Sequence, residues 1–262
     1  MLTITDHGAV REIQMDRPPV NALNPELVAE LTTALKTAAS EAGAVVLSGR
    51  DGMFSAGLDV PALLGLDEQA MGDFWGAFAG LLETVGRMPI PIAAAITGHS
   101  PAGGAVISLF CDTRIMADGR YKIGLNETQV GLMLPPFIHR ALVRLVGAHT
   151  AERLIVSGAL VNPPQALALG LVDEVIEDDE DTVQAAIAWC QAHLALPPRA
   201  MATNRRTMRQ SLTALFDEDG SDDHDAFLAV WFSEETQNTL RALVATLGAR
   251  RTIEVGVFTG YS

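Results

Sequence analysis

Short apolar runs alternate with helical patterns up to about residue 176. The runs that indicate buried strands lie at residues 44–48, 91–97, 115–117 and 172–176. Strands that alternate with helices pair in parallel, because each helix carries the chain back across the sheet. Beyond residue 176 the pattern is almost entirely helical. We therefore predict an α/β fold followed by an α-helical C-terminal region.

Capping residues mark several helix ends. Asn24 followed by Pro25 predicts a helix start, and so does Asn162 followed by Pro163. The second of these helices is expected to stop at Gly170, since glycine readily adopts the left-handed conformation that ends helices. Further elements are predicted as a strand pair at residues 2–15 and helices at 68–87, 136–146, 150–157 and through most of 181–249.

Composition excludes several classes of partner. The 262-residue chain is 48% hydrophobic, which is typical of a globular protein with a full core. Its net charge of −14 repels phosphate backbones, so we expect no nucleic-acid partner. No apolar stretch reaches the roughly 20 residues of a membrane span, and no membrane association is predicted. The N-terminus has no basic region followed by an apolar one, and we predict a cytoplasmic protein.

Cysteines and histidines give no sign of a metal or disulfide framework. Cys111 and Cys190 lie far apart in apolar contexts and are interpreted as reduced core residues. The six histidines lack metal-ligand spacing, so we predict no metal site. The acidic run at residues 217–225 has its glycine at the wrong place for a calcium-binding helix–loop–helix, and we interpret it as a solvated loop.

Two small-residue loops follow two of the predicted buried strands. One contains Gly57 and Asp59, and the other contains Gly103 and Gly104. Each alone is compatible with an ordinary strand-to-helix turn. Together they can aim two backbone N–H groups at one point, which forms an oxyanion hole. One such donor contributes roughly 3–4 kcal/mol when it faces a developing negative oxygen.

Glu127 is the candidate catalytic acid. Its neighbours in sequence are mostly apolar, and desolvation raises a carboxyl pKa toward the range of a general base. The alternative is a carboxylate that caps or pairs at the surface. The helix after Gly103 offers no second acid, because the position three residues later is Val106. A single carboxylate suits the transfer of a proton between two carbons better than the activation of water.

These segments together resemble the crotonase, or enoyl-CoA hydratase/isomerase, superfamily. The likeness runs from about residue 8 to residue 247 and is closest to Δ3,Δ2-enoyl-CoA isomerases of the mitochondrial type. It rests on four segments in family order, at residues 18–23, 54–59, 101–104 and 124–131. The resemblance implies a crotonase-like spiral of ββα units at residues 1–195. A helical region at 196–249 would then serve trimerisation and cover the active site.

The resemblance also implies roles for individual residues. The N–H groups of Leu58 and Gly103 would hold the thioester oxygen of an acyl-CoA substrate, and Glu127 would be the only acid/base. The acyl-CoA path would be lined by Ala56, Gly57, Leu58, Asp59, Val60, Gly103 and Asn126. Coenzyme A is part of the substrate, so no separate cofactor is expected. The assembly would be a homotrimer or a dimer of trimers.

The implied reaction moves a double bond from the 3 to the 2 position of an enoyl-CoA. Hydratases of this superfamily carry a second glutamate where this chain has Val106. One alternative is therefore a hydratase, or another lyase of the superfamily, that takes its second polar group from His99 or Asp59. Another alternative is a non-catalytic scaffold that binds acyl-CoA.

Some features stay outside this assignment. Arg17, Arg241 and Arg250 are candidates to meet the coenzyme A phosphates. The aromatic residues of the 68–87 helix and Phe137 are interpreted mainly as core, with a pocket role for that helix. The tail at residues 250–262 resembles the first strand and glycine turn of a methyltransferase, and we predict no catalytic role for it.

Overall fold

The structure is a computed structural model that describes residues 1–177, 181–217 and 221–251. Part of the acidic run and nearly all of the tail lie outside the described residues. The strands are β1 Leu2–His7, β2 Val10–Met15, β3 Ala44–Ser48, β4 Gly52–Met53, β5 Ile92–Ile96, β6 Gly98–Pro101, β7 Thr113–Ala117, β8 Ile123–Gly124 and β9 Glu174–Ile176.

The helices follow the predicted pattern closely. They are α1 Pro25–Glu41, α2 Val60–Leu63, α3 Glu68–Gly86, α4 Gly103–Leu109, α5 Pro136–Val146, α6 Ala148–Ser157, α7 Pro163–Leu169, α8 Thr182–Leu194, α9 Pro198–Met208, α10 Gln210–Thr213, α11 Ser221–Trp231 and α12 Glu234–Arg251. Two 3-10 turns, Glu127–Val130 and Ala214–Phe216, complete the set.

A six-stranded sheet in the order β1-β2-β3-β5-β7-β9 forms the centre of the fold. β1 pairs with β2 antiparallel, and every later pair in this sheet is parallel, which confirms the predicted topology. One face packs against α8, where the small side chains of Ala93 and Ala95 lie in the same buried cluster as Cys190. The other face belongs to the larger core that includes α1 and α3.

A second sheet of three short parallel strands, β4-β6-β8, lies apart from the first. Gly98 pairs with Gly52 in its first ladder. A Cβ on Gly98 would lie 2.0 Å from the Gly52 carbonyl carbon, so only glycine permits this approach. The sequence did not reveal this sheet, because strands of two residues carry no hydrophobic period.

The predicted helix caps are present. The Asn24 side chain accepts the Leu27 N–H at the start of α1. Asn162 and Gln165 form a reciprocal capping box at the start of α7, and Gly170 ends that helix in the left-handed conformation. Each cap satisfies backbone groups that the helix itself leaves unpaired.

A buried ion network ties the C-terminal helices to the sheet domain. The Asp112 carboxylate, at the start of β7, accepts hydrogen bonds from Arg205 at 2.8 Å and Arg209 at 2.7 Å. The same carboxylate accepts the Ile92 N–H at 2.8 Å. Arg209 also donates to the Phe110 carbonyl at 2.7 Å. Both arginines thus anchor α9 and α10 near the residue range 86–112.

The described ranges contain neither a membrane-spanning helix nor a metal-binding cluster. No helix there has the length and apolar character to cross a membrane. No cluster of three or more His, Cys, Asp or Glu side chains suited to a metal ion was found in the same ranges. The division into residues 1–195, 196–249 and 250–262 stays a prediction.

Candidate active site

All three predicted active-site segments leave the small sheet at one edge. β4, β6 and β8 are parallel neighbours, and residues 54–59, 102–104 and 125–127 follow them directly. The carboxyl ends of parallel strands meet at the same edge of a sheet, which is where α/β proteins commonly place their ligands. The fold therefore explains why segments that are far apart in sequence converge.

Pairing with Leu23 fixes the backbone around Leu58. The Leu23 N–H donates to the Gly57 carbonyl at 2.8 Å, and the Leu23 carbonyl accepts the Asp59 N–H at 3.0 Å. Successive backbone groups point in opposite directions along an extended segment, so the Leu58 N–H faces away from Leu23. Among the described residues it meets no acceptor. It is free to serve as a donor to a ligand.

The buried side chain of Asn21 supports the segment that carries Leu58. Asn21 is fully buried, and its side-chain amide donates to the carbonyls of Met15 at 2.9 Å and Phe54 at 3.0 Å. The Asn21 backbone carbonyl accepts a hydrogen bond from the Ser55 hydroxyl at 2.8 Å. That hydroxyl in turn accepts the Gly57 N–H at 3.2 Å. Asn21 thus connects the 16–23 loop to the segment that carries Leu58.

The second segment turns sharply at Ala102. This residue has φ 48° and ψ −125°, a conformation that L-residues rarely adopt. The Ala102 N–H donates to the Gly124 carbonyl at 2.8 Å, and the helix begins at once with Gly103. The Gly103 N–H belongs to the first turn, which has no intrahelical acceptor, and no other acceptor lies near it in the described chain. Strained turns of this kind are concentrated at functional sites.

The first two segments touch backbone to backbone. A Cβ built on Gly57, which has φ +85°, would lie 2.9 Å from the Gly103 nitrogen. A Cβ on Gly104 would lie 2.6 Å from the Ser55 carbonyl oxygen. Glycine at these positions lets the two loops approach closely. The unpaired N–H groups of Leu58 and Gly103 therefore lie beside the same small space.

Glu127 begins the 3-10 turn after β8. The residue is 8% exposed, and its Oε2 atom is buried without a hydrogen-bond partner among the described residues. Burial raises the pKa of the carboxyl to about 7. The physical cause is desolvation, which penalises the charged form and makes the carboxylate a stronger base.

One small cavity joins these features. It measures about 20 Å³, close to the space that a single water needs. It is lined by Leu58, Trp75, Phe78, Gly103, Val106, Glu127, Leu132, Met133, Leu134, Ile138 and Phe227. Glu127 is the one ionisable side chain in this lining. Val106, which is 1% exposed, occupies an apolar part of the wall.

The remaining predicted site residues do not line this cavity. Gly57 packs on Gly103, and the Ala56 N–H donates to the Val20 carbonyl at 2.9 Å. Asp59 caps α2, and the Val60 N–H donates to the Leu58 carbonyl. Asn126 precedes Glu127, and its Oδ1 atom is buried without a partner in the described part of the chain.

Other polar candidates are engaged elsewhere. His99 Nδ1 accepts the Lys122 N–H at 3.2 Å, so that nitrogen carries no proton. Burial, together with the charge of Lys122, also lowers the His99 pKa. Arg17, a candidate to bind the coenzyme A phosphates, instead forms an ion pair with Asp59 at 2.6 Å. Arg241 donates to the Gln237 side chain, and the Arg250 side chain is outside the described part.

Sequence reasoning missed two contributors. Nothing in the sequence distinguished Asn21 from other loop asparagines. Its bonds to the Met15 and Phe54 carbonyls form only in the folded chain. Phe227 lies about 150 residues from Trp75 in sequence and meets it only through the packing of α11 on α3. The interpretation of the α3 aromatics as both core and pocket was sound for Trp75 and Phe78, which line the cavity.

Comparison with known proteins places this arrangement in a family. The sequence profile of the enoyl-CoA hydratase/isomerase family matches residues 5–247. "Enoyl-CoA delta isomerase 1, mitochondrial" of Homo sapiens is 32% identical over 255 residues, covering 94% of this chain and 83% of that protein. "Probable enoyl-CoA hydratase EchA17" of Mycobacterium tuberculosis is 33% identical over 190 residues, 72% of each chain.

Solved structures agree with this assignment. The crystal structure of human mitochondrial delta3-delta2-enoyl-CoA isomerase superposes with a TM-score of 0.90 at 30% identity, covering 95% of this chain and 99% of that one. An enoyl-CoA hydratase from Bacillus halodurans shares the fold, with a TM-score of 0.83 at 20% identity. The predicted crotonase fold is confirmed, and the chain belongs to the enoyl-CoA hydratase/isomerase family.

Proposed function

We propose that this enzyme converts 3-enoyl-CoA to 2-enoyl-CoA, with Glu127 as its single acid/base. The observation that carries the proposal is the lining of the cavity. A single carboxyl with a raised pKa faces apolar walls, and the two unpaired N–H groups of Leu58 and Gly103 lie at the same space. The similarity to isomerases over nearly the whole chain supports it.

The residues divide the reaction into two proton transfers. The N–H groups of Leu58 and Gly103 donate to the thioester oxygen, which makes the C2 protons more acidic. The Glu127 carboxylate removes one of these protons, and the electron pair passes into a dienolate held by the same two donors. The protonated carboxyl then returns the proton to C4, so that the double bond ends conjugated with the thioester. One carboxyl suffices because its base and acid roles follow each other.

Hydration is the second candidate, since relatives of similar identity are named as probable hydratases. Adding water calls for a second polar group at the reacting carbons, and Val106 supplies none. His99 and Asp59 do not line the cavity; His99 Nδ1 accepts the Lys122 N–H, and the two Asp59 carboxylate oxygens are bonded to Ala62 and Arg17. These contacts favour isomerisation over hydration.

A product assay separates the candidates. We expect a panel of 3-enoyl-CoA thioesters to yield 2-enoyl-CoA, with no 3-hydroxyacyl-CoA formed from either isomer. The variant Glu127→Gln should lose isomerisation while it still binds acyl-CoA. The control is Glu12→Gln, a change in β2 at a residue that does not line the cavity. Accumulation of 3-hydroxyacyl-CoA would establish the hydratase. Absence of turnover with every thioester would establish a non-catalytic acyl-CoA-binding protein.

Assembly and compartment belong to the same proposal. A homotrimer, or a dimer of trimers, built through residues 196–249 is supported by exposed apolar side chains there, including Leu196 at 46% and Met208 at 73% exposure. Sedimentation analysis tests this assembly. The mammalian relatives are named as mitochondrial proteins, so the cytoplasmic location stays a prediction that localisation of the tagged protein would test.

A further inference from the structure

One side of the cavity is aromatic. Trp75 of α3 and Phe227 of α11 stack with ring centroids 3.6 Å apart and planes 7° from parallel. Phe78 contacts Trp75 from the same helix, with centroids 5.7 Å apart. All three rings are nearly buried, and all three line the cavity beside Glu127. The stack is therefore part of the cavity wall beside Glu127.

The stack is braced on both helices. Trp231, one turn after Phe227, is fully buried and lies 6.1 Å from it between ring centroids. The Trp231 carbonyl accepts the Gln237 side chain at 2.8 Å, which ties this end of α11 to α12. On α3, Trp75 is supported by Phe78. Packing on both sides restricts the rotamer changes that would open the wall.

An open groove lies on the outer side of the same two helices. It measures about 680 Å³ and is lined by Glu68, Gln69, Gly72, Asp73, Gly76, His224 and Leu228. Gly72 and Gly76 flank Trp75 along α3, and His224 and Leu228 flank Phe227 along α11. A Cβ built on Gly72 would lie 3.3 Å from His224 Nε2 and 3.5 Å from Leu228 Cδ1, so α3 and α11 are in close contact beside the stacked pair.

We propose that the Trp75–Phe227 stack is the end wall of the acyl pocket and restricts the enzyme to short-chain enoyl thioesters. The inference rests on the proposed function and names its substrate class. A cavity of about 20 Å³ must expand to admit any acyl group, and the aliphatic side chains around it can move to accept a few carbons. A longer chain must displace two stacked, braced rings.

Binding of saturated acyl-CoA thioesters tests the wall without relying on chemistry. By calorimetry, we expect the native enzyme to bind dodecanoyl-CoA no better than hexanoyl-CoA, because the extra methylenes find no pocket. In Trp75→Leu and Phe227→Leu the wall is thinner, and each newly buried methylene strengthens binding up to about fourfold. Dodecanoyl-CoA should then bind at least about tenfold more tightly than it binds the native enzyme.

Phe74→Leu is the matched control. Phe74 is a nearly buried aromatic of the same helix, but it does not line the cavity. This change should leave the ratio of the two affinities as it is in the native enzyme. Circular dichroism verifies that each variant is folded, and either wall variant alone suffices for the test.

Two results would overturn the inference. One is native enzyme that binds dodecanoyl-CoA much more tightly than hexanoyl-CoA. The other is folded wall variants whose affinity ratio does not change. Both are distinct from failure of the proposed function. If the chain-length preference follows the stack but no 3-enoyl-CoA is isomerised, the wall stands and only the reaction is wrong.

Discussion

The hydroxyl of Thr236 donates a 2.7 Å hydrogen bond to the carbonyl of Gly131. Gly131 ends the 3-10 turn that Glu127 begins, and Thr236 lies in α12, so this bond fastens the last described helix to the turn that carries Glu127. Thr236 is only 1% exposed, and Gly131 is half-buried. The C-terminal region therefore contacts the turn that carries Glu127 directly, at its Gly131 end.

Thr236→Val should loosen that turn. Losing the donor removes a hydrogen bond from a half-buried carbonyl, which costs about 1 kcal/mol of the free energy of unfolding. We also expect kcat to fall, since the carboxyl is less well positioned. Urea unfolding and isomerase kinetics measure the two effects. Thr246→Val removes an exposed hydroxyl that bonds within the same helix, and it should change neither quantity appreciably.

Gly57→Ala should damage both stability and activity. The added Cβ would lie 2.8 Å from the Ala102 Cβ at a backbone φ of +85°. Strain and overpacking together cost about 2–4 kcal/mol of unfolding free energy. Displacing the donors should reduce kcat/KM by about 10²-fold or more. The control is Gly76→Ala, where nothing lies within 4 Å, and a gain of about 0.5–1 kcal/mol is expected there. Native behaviour of Gly57→Ala would contradict the close approach of the two loops.

The buried carboxyl of Glu127 should make stability depend on pH. Its pKa is raised from 4.5 to about 7, so the folded state holds this proton over a range where the unfolded chain has released it. The buried carboxyl therefore contributes its full share of the free energy of unfolding below pH 4.5. That contribution is lost as the pH rises to about 7. The loss amounts to about 3 kcal/mol.

Glu127→Gln isolates this effect. The neutral side chain cannot ionise, so the variant should be more stable than the native protein at pH 8, and the difference should shrink by about 2.5 kcal/mol on going to pH 5. Urea unfolding at both pH values measures it, because other titrating groups cancel in the comparison. A difference that is independent of pH would mean that the carboxyl is hydrated. In the native enzyme, kcat/KM should fall as pH drops below about 7.

Asp112→Asn should release the C-terminal helices. Without its charge, the guanidinium groups of Arg205 and Arg209 remain in a largely buried site with no carboxylate, at a cost of about 3–5 kcal/mol. Asp217→Asn removes an exposed partner of Arg87 and should cost less than about 1 kcal/mol. Urea unfolding of both variants provides the comparison. Equal effects would show that the buried network contributes no more than a surface pair.

Local signals in the sequence predicted much of the fold. Asn24 and Asn162 cap their helices as predicted, because a short polar side chain before a proline leaves few other arrangements. The parallel order of the large sheet followed from strands that alternate with helices. The converging segments of the site were recognisable only as a set, through their resemblance to the crotonase superfamily, because each glycine loop alone is compatible with an ordinary turn.

Long-range relationships were not predictable from these signals. The small sheet rests on two-residue strands, and the bonds of Asp112 to Arg205 and Arg209 span more than 90 residues. The position of Phe227 against Trp75 depends on how α11 docks, which no local pattern specifies. Arg17 was a candidate ligand for phosphates, yet a cation this close to Asp59 is satisfied within the protein.

Glu127, Leu58 and Gly103 follow strands of the three-stranded sheet, whereas the aromatic wall of the cavity is formed by side chains of α3 and α11. Residues on α3 and α11 can be exchanged without disturbing the register of β4, β6 and β8. Directed evolution confined to those two helices would thus search new substrates while it leaves the proton-transfer geometry intact. A scaffold divided in this way can diversify its repertoire through many small steps, each of which keeps a working catalyst.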